Sequence, residues 1–290
     1  MMSLELCILA SGSRGNASLV RAAGHCMLID AGLGPRAAEK RMVGTGVSLA
    51  DLEAICLTHL DSDHFNPSWF RVVEDQEIKI YCPENQVKIL RRLARREKML
   101  KSIQELIVAF RDESFEPLPG VHCRTMHLAH DKHGSHGFLI ESGHSTIGYA
   151  TDFGAVPETL IDFFAGVDIL AIESNYDPDM QLQSARPQFL KRRVMGPGGH
   201  LSNQQAFAAV KAIMDHTGRV YGAEKHPRHL VLLHRSQECN CPLLLRRLFE
   251  QDSRIAPILE LAHQHQRTAW LGPPDRQVLP GEQLCMFAGA

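Results

Sequence analysis

The stretch THLDSDHFNP, residues 58–67, sets His59, Asp61, Asp63 and His64 close together in the chain. Imidazole nitrogens and carboxylate oxygens are both ligands for zinc, manganese and iron. Carboxylates packed this tightly repel one another unless a cation neutralises them. The residue types therefore point to metal chemistry. The same stretch also reads as a solvated acidic turn, in which Asp63 or Asn66 caps a following helix. The chain carries 16 histidines in 290 residues, a supply that suits metal or acid–base work.

Residues able to complete such a site fall at the ends of apolar runs. LELCILA, ASLVRA and CMLIDAG read as three strands of a β-meander, with SGSRGN as the tight turn between the first two. LEAICLTH is a buried strand that ends at His59. IKIYC, ELIVAF, VHCRTMHLA, HGFLIES, STIGYATDFG, VDILAIESN and RHLVLLH are further strands. Asp30, His59, Asp152, Glu173 and His234 each stand at the end of one, and His130 follows just after another. Strands supply rigid backbone and the loops at their ends deliver chemistry. The dispersed histidines and acids are therefore expected to converge on one edge of a sheet assembly.

Helices are expected at PRAAEKRMV, which opens with proline, and at PSWFRVVEDQ and PETLIDFFA. PENQVKILRRLARREKMLKSI reads as one long basic helix with Val87, Leu90, Leu93 and Ala94 at helical spacing. SNQQAFAAVKAIMDHTG reads as an amphipathic helix with Ser202 as its N-cap. From about Phe249 the periodicity weakens, and LGPPDRQVLPGEQLCMF looks like an irregular extension closed by a short strand. The expectation is one domain over residues 1–290, with a core over about 1–250 and an extension over 251–290.

A formal net charge of −2 excludes the strongly basic type of nucleic-acid binder and leaves room for a local basic patch. Cys7, Cys26, Cys56, Cys82, Cys123, Cys239, Cys241 and Cys285 are scattered without a CxxC pair. They read as buried thiols in a reducing compartment. The first apolar run has the length of a strand, too short for a signal peptide or a membrane span. A cytoplasmic protein without membrane contact is expected, and no protein partner is inferable.

THLDSDH resembles the HxHxDH signature of the metallo-β-lactamase superfamily. The wider chain is similar to its YycJ/WalJ-type branch through LASGSRGNASLV, LIDAGL, THLDSDH, HLAHD, YATDFG, LAIESNYD, LKRRV, GHLSNQQA and LLHRSQECN, in the family's order over roughly residues 4–248. The resemblance implies a mixed α/β (α+β) fold, a four-layer αββα sandwich with a binuclear metal site on the shared edge of its sheets. It implies that His59, Asp61 and His130 hold one divalent ion, that Asp63, His64 and His234 hold a second, and that Asp152 bridges them. Asp30 would orient the ligand loop, with Glu173 and Asp177 ordering the site from behind the ligands. His127 lies three residues before His130 and is the competing candidate; the Asp131 that follows His130 matches the family's HD. Zinc or manganese is the expected metal, with iron as a further possibility.

Two departures stand out. The family usually has histidine where this chain has Asp61, a variant that also resembles ComEC-type competence proteins. It usually reads ESNHD where this chain has Tyr176. A second carboxylate makes the first site harder, which tilts it from zinc towards manganese or iron; a weakened or lost first site is the alternative. The expected reaction is hydrolysis of a phosphodiester, most plausibly exonucleolytic cleavage of DNA, by a hydroxide shared between two ions about 3.5–4 Å apart. Asp63 and His200 are the expected catalytic residues, His200 as proton donor to the leaving alkoxide. Ser13 and Asn16 of SGSRGN, Arg192 and Arg193 of KRR, and Ser202 and Asn203 of GHLSN are the expected substrate contacts. SGSRGN also reads as a plain hairpin turn, and KRR as a helix C-terminus. Two other functions fit: hydrolysis of a small phosphodiester or thioester, and a metal-poor binding protein that lost turnover through Asp61.

Overall fold

A computed structural model describes residues 3–111 and 114–272. The first sheet has six strands in chain order: β1 (Leu4–Ala10), β2 (Ala17–Ala22), β3 (His25–Ile29), β4 (Leu52–Cys56), β5 (Lys79–Pro83) and β6 (Ile107–Phe110). The meander β1–β3 is antiparallel, and β3 to β6 run parallel. The second sheet also follows chain order: β7 (Ser114–Leu118), β8 (Val121–Leu128), β9 (Ser135–Ser142), β10 (Ser145–Ala150), β11 (Ile169–Glu173), β12 (His229–Leu233) and β13 (Leu259–Leu261). Here β7 to β10 are antiparallel and β10 to β13 parallel.

The helices are α1 (Pro35–Met42), α2 (Trp69–Gln76), α3 (Glu84–Arg96), α4 (Leu100–Ile103), α5 (Glu158–Phe163), α6 (Pro178–Gln183), α7 (Gln188–Met195), α8 (Asn203–Tyr221) and α9 (Pro242–Phe249). Strand residues alternate between two buried layers, as the period of two requires. On β1, Leu6 and Ile8 enter the core between the sheets. Cys7 and Leu9 enter the layer shared with Trp69 and Leu90 from α2 and α3. Across the molecule, Leu170 of β11 packs with Leu160, Val210 and Phe249 from α5, α8 and α9. Sheets covered on both faces explain why the strands are nearly continuous apolar runs. The expected αββα sandwich is the observed fold. Among the described residues, no helix is long and apolar enough to cross a membrane.

The long basic helix is a correction. It breaks into α3 and α4 at Lys98, whose φ of 61° cannot continue a right-handed helix. The chain beyond residue 250 also pairs with the sheets. β13 pairs with β12 through Leu230–Leu259, and Leu6 and Leu271 exchange backbone bonds at 2.8 Å. The segment after α9 thus adds a strand to the second sheet and a single bridge to β1 of the first. The short strand expected at the end of the tail, together with Cys285, lies outside the described residues. Cys7, Cys26, Cys56, Cys82, Cys123 and Cys239 are buried free thiols.

Candidate metal centre

The parallel strands of both sheets end on one side, and the ligand candidates sit on the loops that follow. Asp30 follows β3, the loop 57–68 follows β4, Asp152 follows β10, Glu173 closes β11 and His234 follows β12. Asp30, Asp152 and His234 take left-handed backbone with φ of 57°, 57° and 50°. Few non-glycine residues adopt that conformation, and it concentrates at functional sites. Gly32 of LIDAGL lets the ligand loop come close: a Cβ there would lie 1.8 Å from the Asp63 carbonyl oxygen.

The donor atoms fall into overlapping groups. His59, Asp61 and His130 form one, and Asp63, His64 and His234 another. His59, His64 and Asp152 form a third that joins them, with His64 Nε2 3.0 Å from Asp152 Oδ2. The protein engages the histidines from behind. His64 Nδ1–H donates to Asp30 Oδ2 at 2.7 Å, and His130 Nδ1–H donates to the Gly199 carbonyl at 3.0 Å. His59 Nδ1 lies 3.0 Å from the Thr58 hydroxyl, which itself donates to Asp30. Each ring is thus turned with Nε2 inward, the arrangement that orients metal ligands. His59 Nε2 is buried with no partner among the described residues. An orphaned inward-facing nitrogen between two clusters of hard and borderline donors is what a cation site requires, so the residues fit a pair of divalent ions.

Asp61 is the weak corner. Its side chain is 48 % exposed, with Oδ2 3.8 Å from His59 Nε2 and 3.9 Å from His130 Nε2. It remains within the first donor group. Tyr176 packs with Val194 and Cys239 and belongs to none of the donor groups.

A fourth group was not anticipated as such: Asp152, Glu173, His200 and His234. Glu173 is fully buried. Its Oε1 accepts from His200 Nδ1–H at 2.8 Å and lies 3.3 Å from His234 Nδ1. Its Oε2 accepts the backbone N–H of Phe153 at 3.1 Å and of Leu201 at 3.3 Å. The His200 ring stacks on His234 with centroids 5.1 Å apart and lines the open cleft.

Without cations, the buried acids draw protons onto the histidines. Burial alone would lower His64, but Asp152 and Asp30 carry it well above its ordinary value. His234 is likewise pushed up to about 10 against its burial, by Asp152, Asp63 and Glu173. Burial would raise Asp63, yet its bond to His234 and the charge on His64 hold it at about 2. His59 is driven well below its ordinary value by burial and then by His64. His200 stays raised despite burial because Glu173 faces it. The site demands positive charge, and divalent ions would replace those protons.

The cleft beside the donor groups, of about 330 Å³, is lined by Ser13, Arg186, Leu190, Arg193 and His200, among others. Of the expected substrate contacts, Ser13 and Arg193 therefore face it, Arg193 paired with Asp131. Arg192 is exposed on α7. Asn16 points inward instead, with Nδ2 3.2 Å from the Asp63 carbonyl and 2.9 Å from His64 Nε2. Ser202 and Asn203 lie at the start of α8, where Ser202 is the N-cap expected from the sequence. Ser202 caps α8 in a capping box with Gln205, and buried Asn203 donates to Asn240 at 3.0 Å. The Asp177 carboxylate caps α6 by accepting from Met180 N at 3.0 Å. His127 packs on His136, outside every donor group.

Several contributors were not read from the sequence. Thr58 and the Gly199 carbonyl set ring orientations. Asn175 Nδ2 donates to the His234 carbonyl at 2.7 Å, and Ser11 accepts the His234 backbone N–H at 2.7 Å. Ser11 and Asn175 lie inside the quoted motifs SGSRGN and ESNYD, so position was the available signal. Gln264, which accepts from Arg14 N and donates to the Gly15 carbonyl, carries no such signal.

This architecture is that of a metal-site hydrolase scaffold. Residues 25–234 match the beta-lactamase superfamily domain, and the chain belongs to the metallo-β-lactamase superfamily. Within it, the chain is similar to the exodeoxyribonuclease YycJ of Bacillus anthracis, 25 % identical over 221 residues that cover 76 % of this chain and 81 % of that protein. It is also similar to the exodeoxyribonuclease WalJ of Streptococcus pneumoniae serotype 2 (strain D39), 23 % identical over 215 residues, 74 % of this chain and 78 % of that one. Among solved structures, the metallo-β-lactamase fold protein YhfI from Bacillus subtilis superposes with a TM-score of 0.64 at 14 % identity, covering 91 % of this chain and 99 % of that chain. That last likeness is one of fold. The YycJ/WalJ-type resemblance is borne out.

Proposed function

We propose that this hydrolase is a divalent-cation-dependent phosphodiesterase that acts on nucleic acid, with exonucleolytic cleavage of DNA as its leading activity. The observation that carries this reading is the joining of two donor groups through Asp152, beside an arginine-lined cleft. His59, Asp61 and His130 would hold one cation and Asp63, His64 and His234 the other, with Asp152 between them. Bound divalent ions, zinc or manganese foremost, would neutralise charge on phosphoryl oxygens and make a water more acidic. Similarity to two exodeoxyribonucleases supports the DNA substrate.

The chain's own residues would do the rest. Asp30, Thr58 and the Gly199 carbonyl hold the ligand rings in place. Arg193, paired with Asp131, and Arg186, paired with Glu238, place guanidinium N–H groups along the cleft wall, where a phosphate backbone would lie. His200 presents a proton to the departing alkoxide, because Glu173 raises its basicity and grips Nδ1, leaving Nε2 for the cleft.

The test is digestion of end-labelled DNA and of bis-p-nitrophenyl phosphate by the manganese- or zinc-loaded protein, with and without chelator. Nucleotide release from DNA that chelation abolishes is the expected result. Cleavage of the small diester with no action on DNA would replace the nuclease reading with a small-molecule one. Fewer than one tightly bound transition metal per chain would sink the binuclear site.

A further inference from the structure

We propose that the α6–α7 rim of the cleft is a binding ledge for single-stranded nucleic acid, on which Phe189 stacks an unpaired base while Arg192 holds a neighbouring phosphate. The proposal rests on the phosphodiesterase reading above and narrows its substrate to an unpaired strand.

Two large apolar side chains stand in solvent on this rim, Phe189 at 68 % and Leu182 at 57 % exposure. Single exposed hydrophobic residues are ordinary, so exposure alone decides nothing. The surroundings of Phe189 decide it. Phe189, Arg192 and Arg193 stand at i, i+3 and i+4 on α7 and share one helical face. The guanidinium of Arg193 pairs with Asp131, the residue after the ligand candidate His130. That pair fixes the face of α7 against the mouth of the cleft, whose wall is formed by Arg186, Leu190, Arg193 and Val194.

The rim is also built to keep its shape. Lys191 is buried, and its Nζ donates to the Leu182 carbonyl at 2.6 Å, tying α7 to the end of α6. Arg186 is held by Glu238, Gln181 and Ser236. Of the three arginines, Arg193 has its charge offset by Asp131 and Arg186 by Glu238. Arg192 makes no ion pair among the described residues, so its charge is available to a polyanion. The whole chain is slightly acidic, which makes this positive rim a local feature.

An exposed aromatic ring beside guanidinium groups, bordering a hydrolytic cleft, is the combination that single-strand binders use. The ring stacks on any base, and the cations track the backbone. Bases in a duplex are already stacked and cannot use such a platform. A frayed or unpaired end can, and it would be led from Phe189 past Arg193 towards the metal ligands.

Binding of phosphorothioate single strands carrying 2-aminopurine, by the metal-loaded protein, tests this. Wild type should quench the 2-aminopurine fluorescence. Phe189→Ala should abolish the quench and lower affinity roughly fivefold to a hundredfold, and Phe189→Trp should restore both. Arg192→Ala should flatten the slope of log affinity against log salt by about 0.7. Metal content and melting temperature measured alongside establish that each variant is folded. Wild-type quench and affinity in Phe189→Ala would overturn the proposal, as would wild-type binding to duplex as tight as to single strand, or no binding of single strands at all. A persisting Phe189-dependent quench without release of nucleotides from ordinary DNA would support the ledge while overturning the nuclease reading.

Discussion

The hydroxyl of Ser11 accepts the backbone N–H of His234 at 2.7 Å, joining the end of the first hairpin strand to the last ligand candidate in the chain. His234 holds left-handed backbone, so this bond secures a conformation the residue would not choose alone. Ser11→Ala leaves a buried N–H without an acceptor, at a cost of about 1–3 kcal/mol. The expected result is a lower melting temperature and weaker binding of one cation per chain, the one shared with Asp63 and His64. Calorimetric metal titration checks it; equal weakening of both cations would contradict the assignment.

The same hairpin is gripped from the far end of the chain. Gln264 accepts the Arg14 backbone N–H at 3.0 Å and donates to the Gly15 carbonyl at 2.9 Å. Asn16, at the other end of the turn, contacts Asp63 and His64. Gln264→Ala should therefore loosen the turn without disturbing the sheets. Amide exchange over residues 12–16 should accelerate, while β8 and β9 keep wild-type protection. Unchanged exchange in the turn would show that Gln264 is dispensable there.

In the proposed two-cation site, Asp61 is the ligand on which the first cation depends. It is half exposed and stands just under 4 Å from two histidine nitrogens. Asp61→Ala should lower bound metal from about two ions per chain towards one, by the ligand count alone. Asp61→His removes a hard carboxylate and should shift preference from manganese towards zinc. Elemental analysis after dialysis against both metals reads each outcome. Two ions retained in Asp61→Ala would mean that Asp61 is no ligand.

Bound cations should stabilise the protein more as pH rises. His234 is raised to about 10 in the metal-free chain. A raised histidine contributes stability that is complete below its unfolded value of about 6.5 and is lost as pH climbs towards the folded value. Asp63, held at about 2, contributes stability that is present above about 3.9 and lost as pH falls through its folded value. Chelated protein should therefore lose melting temperature from about pH 6.5 upward. A cation must displace the His234 proton, so its own stabilising effect grows over that window. The gap in melting temperature between loaded and chelated protein should widen as pH rises from about 6.5; a constant gap would exclude proton displacement.

Much of this centre could be read before any coordinates, because strands and their ends leave clear marks. Asp30, His59, Asp152, Glu173 and His234 each close an apolar run, and parallel strands bring those ends to one edge. Other features leave weaker marks. Asn203 and Asp177 are polar residues at helix starts, where a cap and a ligand contact look identical in sequence. β13 is three residues long and offers too few positions for a period of two to show. Phe189 sits in a short polar helix where one exposed ring breaks no pattern. Gln264 acts on a turn some 250 residues away, and only folding creates that relation.

The Glu173–His200 pair makes the sharpest chemical prediction. Glu173 lies fully buried beneath His200 and keeps its ring raised and oriented. A proton donor matters most when the leaving group is a poor one, such as the deoxyribose alkoxide of DNA, and little for p-nitrophenolate. His200→Ala should therefore slow DNA hydrolysis by about 10²–10⁴-fold and bis-p-nitrophenyl phosphate hydrolysis far less. Glu173→Gln removes the charge that lifts His200, and the donor must be protonated to act. The alkaline limb of its pH–rate profile on DNA should therefore move to lower pH. The comparison separates proton donation from simple upkeep of the metal site, since a damaged metal site would slow both substrates alike. Equal losses on the two substrates, or an unmoved alkaline limb, would remove His200 from the chemistry and leave it a structural neighbour of His234.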